Sequence, residues 1–286
     1  MKPLSIGLAL SGGTARAVTH VGVLKALIED DIQLDYVAGT SGGSIVATLF
    51  ASGMDVAEME LTATNLSWRK LASIKLTKLG FVSSKGIESL VRQIVGDIGF
   101  GELKLPCAVP VTDLGTGEKE VFLQGSVARV VRASCSIPQI FLPVEIGGRY
   151  YVDGGLVEYL PVQTVRSLGE QFTIAVNLST GGTSDQRPNH ILHLIMQMTH
   201  ILAQKNAVIS ENLADFIIRP NVNSFSAFDF SNAADLMEVG YHAARKQMPE
   251  LRRALQSSSR PFSRYLHRLQ AKLSNIMRQS YPVSST

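Results

Sequence analysis

The fold is decided by the stretch Leu34-Asp35-Tyr36-Val37-Ala38-Gly39-Thr40-Ser41-Gly42-Gly43-Ser44-Ile45-Val46-Ala47-Thr48-Leu49-Phe50. Residues 34–38 form the pattern of a short buried strand, and residues 44–50 form the pattern of an apolar helix. Between them, Ser41 occupies the centre of a G-x-S-x-G motif, which in hydrolases exposes a serine nucleophile at a sharp turn. Glycines at such a turn take backbone angles that other residues resist. The stretch predicts a strand, a tight turn carrying Ser41, and a helix; a plain glycine-rich turn is the alternative.

Strand and helix patterns alternate along the rest of the chain, which predicts an α/β fold. A mostly parallel central sheet flanked by helices on both faces, a three-layer sandwich, is the architecture that this order favours. Asp113, in the turn-rich run between two strand patterns, is expected to cap its own turn. The remaining predicted elements are a strand over 4–10, a loop over 11–17, a helix over 20–28, hairpins over 106–123 and 144–152, helices over 126–134, from 161 and over 232–255, and strands over 172–178 and 216–219.

Composition and length indicate one domain with a large core. The chain has 286 residues, 45% of them hydrophobic and 18% charged, enough to bury a single α/β core. We expect a domain over residues 1–256 with a candidate cap over 54–100, and a separate tail over 257–286. The most apolar helix pattern, 190–210, carries polar side chains, so we expect a core helix and no membrane span.

The cysteines and the N-terminus bound the cellular setting. Cys107 and Cys135 stand apart without a C-x-x-C pair, which gives no support for a disulfide framework or a zinc site. The first residues lack the charged, apolar and small-residue regions of a signal peptide. We therefore expect a cytoplasmic protein with reduced thiols.

A second glycine-rich run supplies what a serine nucleophile needs. The hydroxyl requires a base, and the tetrahedral intermediate requires donors for its oxyanion. In Ser11-Gly12-Gly13-Thr14-Ala15-Arg16, backbone N–H groups can converge before a helix. We place the oxyanion hole in this run. A phosphate-binding loop is the rival, but Gly13 stands where that motif needs lysine.

Four motifs in order resemble the patatin-like phospholipases, closest to the bacterial branch related to the neuropathy target esterase catalytic domain. They span about residues 4–220. The runs are Leu10 to Arg16 with His20-Val21-Gly22-Val23-Leu24, the elbow at Gly39 to Gly43, Ala133-Ser134-Cys135-Ser136-Ile137-Pro138, and Tyr151-Val152-Asp153-Gly154-Gly155.

The resemblance implies a serine acyl hydrolase that cleaves carboxyl esters of lipids. Ser41 and Asp153 would form a catalytic dyad, the Gly12 to Thr14 amides would hold the oxyanion, and neither a histidine nor a cofactor or metal is required. Phospholipids or lysophospholipids are the implied substrates. Arg16 and Gly42 are expected beside the substrate, with bracing of the loop as the other role for Arg16.

The chain departs from the pattern of this family at several positions. The family usually has glycine where Thr14 and Ala17 stand, and a Cβ at Thr14 restricts a positive φ. Gln139 replaces a frequent glycine. Glu158-Tyr159 replaces a common Asn-Pro pair. These last positions shape the cleft and bear on specificity.

Two other functions stay open from the sequence. One is a Ser-Asp-His esterase, because His190, His193, His200 and His242 all follow Asp153 in the chain. The other is a non-catalytic regulatory protein in which Thr14 and Ala17 spoil the oxyanion hole. His20 lies near the glycine run and is expected to pack or bond locally.

The C-terminal tail concentrates the basic charge. From Leu251 onward the chain carries a net charge of +7 with no acidic residue, whereas residues 1–250 carry −4. Apolar side chains from Phe262 to Met277 recur every three or four positions, which predicts an amphipathic helix with a cationic face. It either packs on the domain or anchors the protein peripherally to anionic lipid at the inner membrane face. Nucleic acid is not an expected partner, and the sequence leaves the oligomeric state open.

Overall fold

The computed structural model describes residues 4–67, 71, 82–179 and 191–258. Within these residues the chain forms one mixed β-sheet with helices packed on both faces. The strands are β1 (Ile6–Leu10), β2 (Tyr36–Gly39), β3 (Cys107–Asp113), β4 (Lys119–Phe122), β5 (Val144–Ile146), β6 (Arg149–Val152), β7 (Phe172–Val176) and β8 (Phe216–Ile218).

The sheet has the order β5-β6-β3-β2-β1-β7-β8, with β4 paired to β3 off this path. The central pairs β3-β2, β2-β1, β1-β7 and β7-β8 are parallel, and β4, β5 and β6 join through antiparallel pairs. Both β1 and β2 therefore end at the same edge of the sheet, where their following loops meet.

The two faces of the sheet differ in residue size. Along β1, Ile6, Leu8 and Leu10 enter the larger core cluster, while Ala9 points to the opposite face. Ala9 is in register with Ala38 and Ala175, and Ala38 with Ala108, so a row of alanines crosses four strands. Small side chains let the elements on that face approach the sheet closely.

The helices divide between these faces and complete three layers. The first five and the last line the large core, and the other two cover the alanine face. They are α1 (Thr19–Glu29), α2 (Gly42–Ala51), α3 (Val56–Thr64), α4 (Lys85–Val95), α5 (Val127–Ser134), α6 (Val162–Arg166), α7 (Ile191–Glu211) and α8 (Ala233–Ser258).

Helices α1 and α8 cross at two glycines. A Cβ on Gly22 would overlap the Met237 carbonyl, and a Cβ on Gly240 would overlap the Thr19 carbonyl. The backbones therefore touch where the helices cross, which only glycine permits. At the far end of the pair, Arg252 Nε donates to Asp30 Oδ2 at 2.6 Å.

The predicted α/β class and the three layers are confirmed. Both predicted hairpins form, and Asp113 caps its turn by accepting the Gly115 N–H at 2.7 Å. The predicted loop over 11–17 was wrong in its second half, because residues Thr14–Val18 form a turn of 3₁₀-helix. Backbone hydrogen bonding at the start of α1 continues into that turn, a frequent extension of helix ends.

The expectation of a core helix over 190–210 holds for only one side of the described part of the helix. Helix α7 lies on the alanine face with Ala203 and Ala207 buried, and it leaves larger apolar side chains such as Met198 exposed. Apolar content alone does not state which face is buried. No helix in the described part of the chain combines the length and apolar character needed to cross a bilayer.

The candidate cap is described in part. Helices α3 and α4 place Met59, Ala63, Ile87 and Val91 in the large core cluster. Residues 68–70 and 72–81 of that region lie outside the described residues, as do His190 and the predicted tail helix from Phe262 to Met277.

Candidate active site

The Ser41 turn has the strained geometry expected of a nucleophile elbow. Ser41 follows β2, precedes α2, and takes φ 50° and ψ −128°. A positive φ is costly for a residue with a Cβ, so the surrounding hydrogen bonds must hold it. Gly43 N–H donates to the Thr40 carbonyl at 2.9 Å, and Ser44 Oγ donates to the Ser41 carbonyl at 2.6 Å.

The Ser41 hydroxyl is bonded to Asp153. Its Oγ donates to Asp153 Oδ2 at 2.7 Å, and both side chains are buried. Asp153 stands directly after β6, 112 positions along the chain from Ser41. The sheet brings them together because β6 pairs with β3, which pairs with β2. The two residues predicted as a dyad therefore meet at one edge of the sheet.

The Asp153 carboxylate is oriented by the turn that follows it. Its Oδ1 accepts the Gly155 N–H at 2.7 Å, which leaves Oδ2 directed to Ser41. Its backbone is fixed on both sides, since its N–H donates to the Ser136 carbonyl and its carbonyl accepts from Thr112 Oγ1. Burial raises the pKa of Asp153 to about 6, opposed by the hydrogen bonds from Ser41 and Gly155. A carboxylate with a raised pKa is a stronger base.

The glycine run after β1 presents two free amides. Gly13 and Thr14 have N–H groups without an acceptor among the described residues, and Thr14 takes φ 54°. Thr14 thus adopts the left-handed region despite its Cβ. We expected Gly12 among the donors as well, but its N–H donates to the Tyr159 carbonyl at 3.0 Å. That expectation is corrected, because an engaged amide cannot also serve an oxyanion.

The glycine run touches the elbow. A Cβ on Gly42 would lie 2.7 Å from both the Thr14 carbonyl oxygen and the Ala17 Cβ. Glycine at position 42 is thus required by its close approach to the neighbouring loop. The Gly42 N–H begins α2 and, like those of Gly13 and Thr14, has no acceptor within the described ranges. Amides from two loops therefore lie beside the nucleophile.

Arg16 braces a loop. Its Nε donates to the Phe225 carbonyl at 2.8 Å, and Nη2 bonds the same oxygen. The adjacent Ala15 N–H donates to the Ala227 carbonyl at 2.9 Å. The segment before α8 is thereby tied to the glycine run, and Arg16 takes the bracing role that the sequence left open.

None of the described hydrogen bonds of Ser41 or Asp153 involves a histidine. His20 is fully buried and its Nε2 bonds the Ser11 carbonyl at 2.9 Å, which supports the glycine run. Burial lowers the pKa of His20 to about 4, so the ring is neutral and Nε2 carries the proton. His242 pairs with Glu238 on the exposed side of α8. His190 and the side chains of His193 and His200 lie outside the description.

Ser134 is a site residue that the sequence did not single out. Its buried Oγ accepts the Ser41 N–H at 3.0 Å and donates to the Pro110 carbonyl at 2.9 Å. It thereby fixes the strained elbow to β3. The signal was its place in the Ala133 to Pro138 motif, but the sequence does not indicate a bond across 93 positions.

Glu158 and Tyr159, the departures from the family pattern after Asp153, contact the elbow and the glycine run. The Glu158 carboxylate caps α6 by accepting a hydrogen bond from the Gln163 N–H at 2.7 Å, and it also binds Lys119 Nζ at 2.7 Å. The backbone carbonyl of Glu158 accepts a hydrogen bond from Thr40 Oγ1 at 2.8 Å. The Tyr159 ring lies across Gly12, where a Cβ would come within 2.6 Å of it. These two residues fix the spacing between the elbow and the glycine run.

Among the residues that the structure describes, no group of three His, Cys, Asp or Glu side chains is arranged to hold a metal ion. Cys107 and Cys135 are free and buried.

Comparison with known proteins finds relatives in bacteria and fungi. An uncharacterized NTE family protein of Mycobacterium bovis is 32% identical over 189 residues, which cover 64% of this chain and 52% of that protein. Lysophospholipase NTE1 of Yarrowia lipolytica is 26% identical over 281 residues, covering 87% of this chain and 20% of that protein. The chain thus spans about half the length of the mycobacterial relative and a fifth of the fungal one.

A solved structure shares the fold. The crystal structure of VipD from Legionella pneumophila matches with a TM-score of 0.54 at 16% identity, over 90% of this chain and 67% of that one. The family model described as patatin-like phospholipase matches residues 8–166, more than half of the 286 residues. With four motifs in order and an α/β sandwich around Ser41, the chain belongs to the patatin-like phospholipase family.

Proposed function

We propose that the protein is a serine acyl hydrolase in which Ser41 is the nucleophile and Asp153 its general base. The observation that carries this proposal is the 2.7 Å hydrogen bond from Ser41 Oγ to Asp153 Oδ2. Three features support it: the strained elbow, the burial that raises the pKa of Asp153 to about 6, and the unengaged amides of Gly13, Thr14 and Gly42 nearby. A nucleophile, an oriented base and oxyanion donors are the parts that acyl transfer requires.

The reaction follows from these positions. Asp153 Oδ2 takes the proton of Ser41 as Oγ attacks the ester carbonyl carbon, and the amides stabilise the resulting oxyanion. The tetrahedral intermediate then collapses: the bond to the alcohol breaks, and Asp153 returns its proton to the leaving oxygen. Water attacks the acyl-enzyme with Asp153 as base again, which releases the fatty acid and restores the Ser41 hydroxyl.

The proposed substrates are carboxyl esters of phospholipids or lysophospholipids. Family membership supports a lipid ester, and the name of the Yarrowia relative, a lysophospholipase, favours a single-chain substrate among them. No step of this mechanism uses a metal or cofactor.

Hydrolysis of a short p-nitrophenyl ester and of lysophosphatidylcholine tests the proposal. We expect turnover of both by the wild type, and loss of about a thousandfold or more in kcat for Ser41→Ala and Asp153→Asn. Asp113→Asn is the matched control, a buried aspartate that caps a turn on the neighbouring strand, and it should retain activity. Absence of turnover in the wild type, as expected for a regulatory protein, would refute the proposal; so would activity in Asp153→Asn that is lost in His193→Gln or His200→Gln.

The pH dependence gives an independent test. The base must be ionised, and burial raises the pKa of Asp153 to about 6. We therefore expect kcat/KM for the p-nitrophenyl ester to rise with pH and level off above about 6 to 7. A profile already flat at pH 5 would contradict the assignment of Asp153 as the base.

We also propose that the basic tail brings the site to anionic membranes. Residues 257–286 carry five Lys and Arg residues and no acidic one, which supports electrostatic attraction to anionic lipid. A chain truncated after Gln256 should bind phosphatidylglycerol-containing vesicles more weakly than the full chain in low salt, measured by co-sedimentation. Equal binding of the two would refute a role of the tail.

A further inference from the structure

The large apolar side chains that the structure describes on helix α7 lie on the outside. Its buried described side chains are small, namely Ala203, Ala207 and Ser210, because the alanine row of the sheet lies beneath them. Its exposed side chains are large, and Met198 and Val208 are 63% and 60% exposed. A surface helix of a globular protein normally shows the opposite arrangement. The large apolar side chains that the structure describes on this helix are therefore left uncovered.

These exposed side chains form one continuous strip, which we call the α7 apolar face. Successive residues turn by about 100° along a helix, so all members fall within about a third of its circumference. Lys205 lies in the middle of the strip and is the only Lys, Arg, Asp or Glu from Ile191 to Ser210. The members are Leu194, Met198, Ile201, Leu202, Val208 and Ile209, with Lys205 among them.

The two sides of α7 that flank the α7 apolar face connect the helix to the candidate active site. Asn206 Nδ2 donates to the Leu156 carbonyl at 2.7 Å, and the Leu156 N–H bonds the Asp153 carbonyl. Gln204 Nε2 donates to the Ser179 carbonyl at 3.2 Å. Helix α7 thus packs directly on the turn that holds Asp153.

We propose that the α7 apolar face inserts into the surface of an anionic phospholipid membrane and thereby docks the Ser41 site on its substrate. This inference rests on the proposed function for the identity of the substrate, and it assigns to α7 a contact distinct from that of the basic tail. The exposed apolar side chains enter the acyl boundary, and the Lys205 stem extends along them so that its ammonium reaches the phosphates.

The charge of Lys205 favours a lipid surface as the partner of the α7 apolar face over a second copy of the chain or residues 259–286 of the same chain. In a symmetric contact with a second copy, Lys205 at the centre of each strip would be buried against apolar residues or the other Lys205, with no acidic residue on the strip to pair it. Residues 259–286 of this chain carry five basic residues and no acidic one, so they offer no counter-charge either. Phosphate headgroups supply that charge, and acyl chains accept the apolar side chains.

Vesicle co-sedimentation of the full chain tests the inference. We use Ser41→Ala as background, so that binding is measured without hydrolysis, and vesicles of phosphatidylcholine with phosphatidylglycerol. The double variant Met198→Asp/Val208→Asp should lower the bound fraction by a factor of about ten or more, because two apolar side chains lose their transfer into lipid. Lys205→Glu should weaken binding to these vesicles and change binding to pure phosphatidylcholine little. Leu61→Asp, at an equally exposed apolar position on α3, is the matched control and should bind like its parent.

Hydrolysis separates this inference from the proposed function. With Ser41 intact, the double variant Met198→Asp/Val208→Asp should keep the wild-type kcat/KM for a soluble p-nitrophenyl ester and lose hydrolysis of vesicle phospholipid. Unchanged vesicle binding by the double variant, or an equal loss in Leu61→Asp, would overturn the inference. Dimers of the wild type in solution that the double variant converts to monomers would overturn it in favour of a second copy. Vesicle binding that depends on α7 in a protein without esterase activity would refute the proposed function and leave the docking surface standing.

Discussion

Thr14 and Ser41 both hold a positive φ without the freedom of glycine. Their φ values are 54° and 50°, and each such residue costs about 1–3 kcal/mol that the surrounding structure must offset. For Ser41 the result of this strained turn is a hydroxyl directed at Asp153. For Thr14 it is a backbone whose N–H, with that of Gly13, lacks an acceptor among the described residues. The Cβ at position 14 therefore has not prevented the loop from taking this conformation.

Replacing Thr14 with glycine tests whether the Cβ only adds strain. Thr14→Gly relieves the left-handed strain but raises the chain entropy of the unfolded state, and because these two effects oppose each other we expect the free energy of unfolding to change by less than about 1 kcal/mol. Because the amides keep their positions, kcat for the p-nitrophenyl ester should equal or exceed that of the wild type. Urea unfolding and ester kinetics measure the two effects. A tenfold or larger fall in kcat would mean that the Thr14 side chain itself takes part.

Ser134 is expected to act as a positioning residue for Ser41. Ser134→Ala leaves the buried Ser41 N–H without its acceptor, which costs about 1–3 kcal/mol and loosens the elbow. We expect kcat to fall by about tenfold with KM nearly unchanged, because the nucleophile is misplaced and the substrate still binds.

Ser136→Ala is the matched control for that experiment. The Ser136 hydroxyl is also buried, but it donates to the Arg132 carbonyl and does not contact Ser41. It should lose stability while keeping kcat. Equal losses of kcat in both variants would show that Ser134 acts only through general stability.

The backbones of α1 and α8 touch where the helices cross, and the start of α1 supports the glycine run through His20. Gly22→Ala would force the Met237 carbonyl away. We expect the free energy of unfolding to fall by about 2–3 kcal/mol, as for overpacked cores. Gly101→Ala, where a Cβ meets nothing within 4 Å, should stay within about 0.5 kcal/mol of the wild type. A Gly22→Ala variant as stable as Gly101→Ala in guanidinium unfolding would contradict this backbone contact.

Elements with a clear pattern were predictable from the sequence. Apolar runs bounded by glycine gave β1, β2 and β7, and Gly147 and Gly148 marked the turn between β5 and β6. The orientation of α7 was not predictable, because apolar residues occur all around the helix in the sequence, and the buried side chains that the structure describes are the small ones that pack near the alanine row of the sheet. In the site, Ser41 and Asp153 were predictable from their motifs. The Ser134 bond and the engaged Gly12 N–H were not, since both depend on partners distant in sequence.

For the whole molecule, the raised pKa of Asp153 makes the protein less stable at neutral pH than at low pH. Its folded pKa, about 6, exceeds the ordinary value of 3.8, so the folded protein binds the proton more tightly than the unfolded chain. The tighter binding of this proton stabilises the folded protein fully below about pH 4, and that stabilisation is lost as the pH rises through 6.

Asp153→Asn should remove this dependence of the free energy of unfolding on pH. The variant should be more stable than the wild type at pH 7, by up to about 3 kcal/mol, and the difference should shrink towards pH 4. Urea unfolding of both proteins from pH 4 to pH 8 measures it, and the other titrating groups cancel in the comparison. A variant less stable than the wild type at pH 7 would contradict a buried, ionised Asp153.

The central claim is that Asp153 activates Ser41 for attack, and labelling with a fluorophosphonate tests it most directly. The probe requires an activated serine and no knowledge of the natural substrate. Intact-mass and peptide analysis should show one adduct, on Ser41, in the wild type, none in Ser41→Ala, and labelling about a hundredfold slower or more in Asp153→Asn. An unlabelled wild type, an adduct on another residue, or labelling of Asp153→Asn at the wild-type rate would contradict the claim.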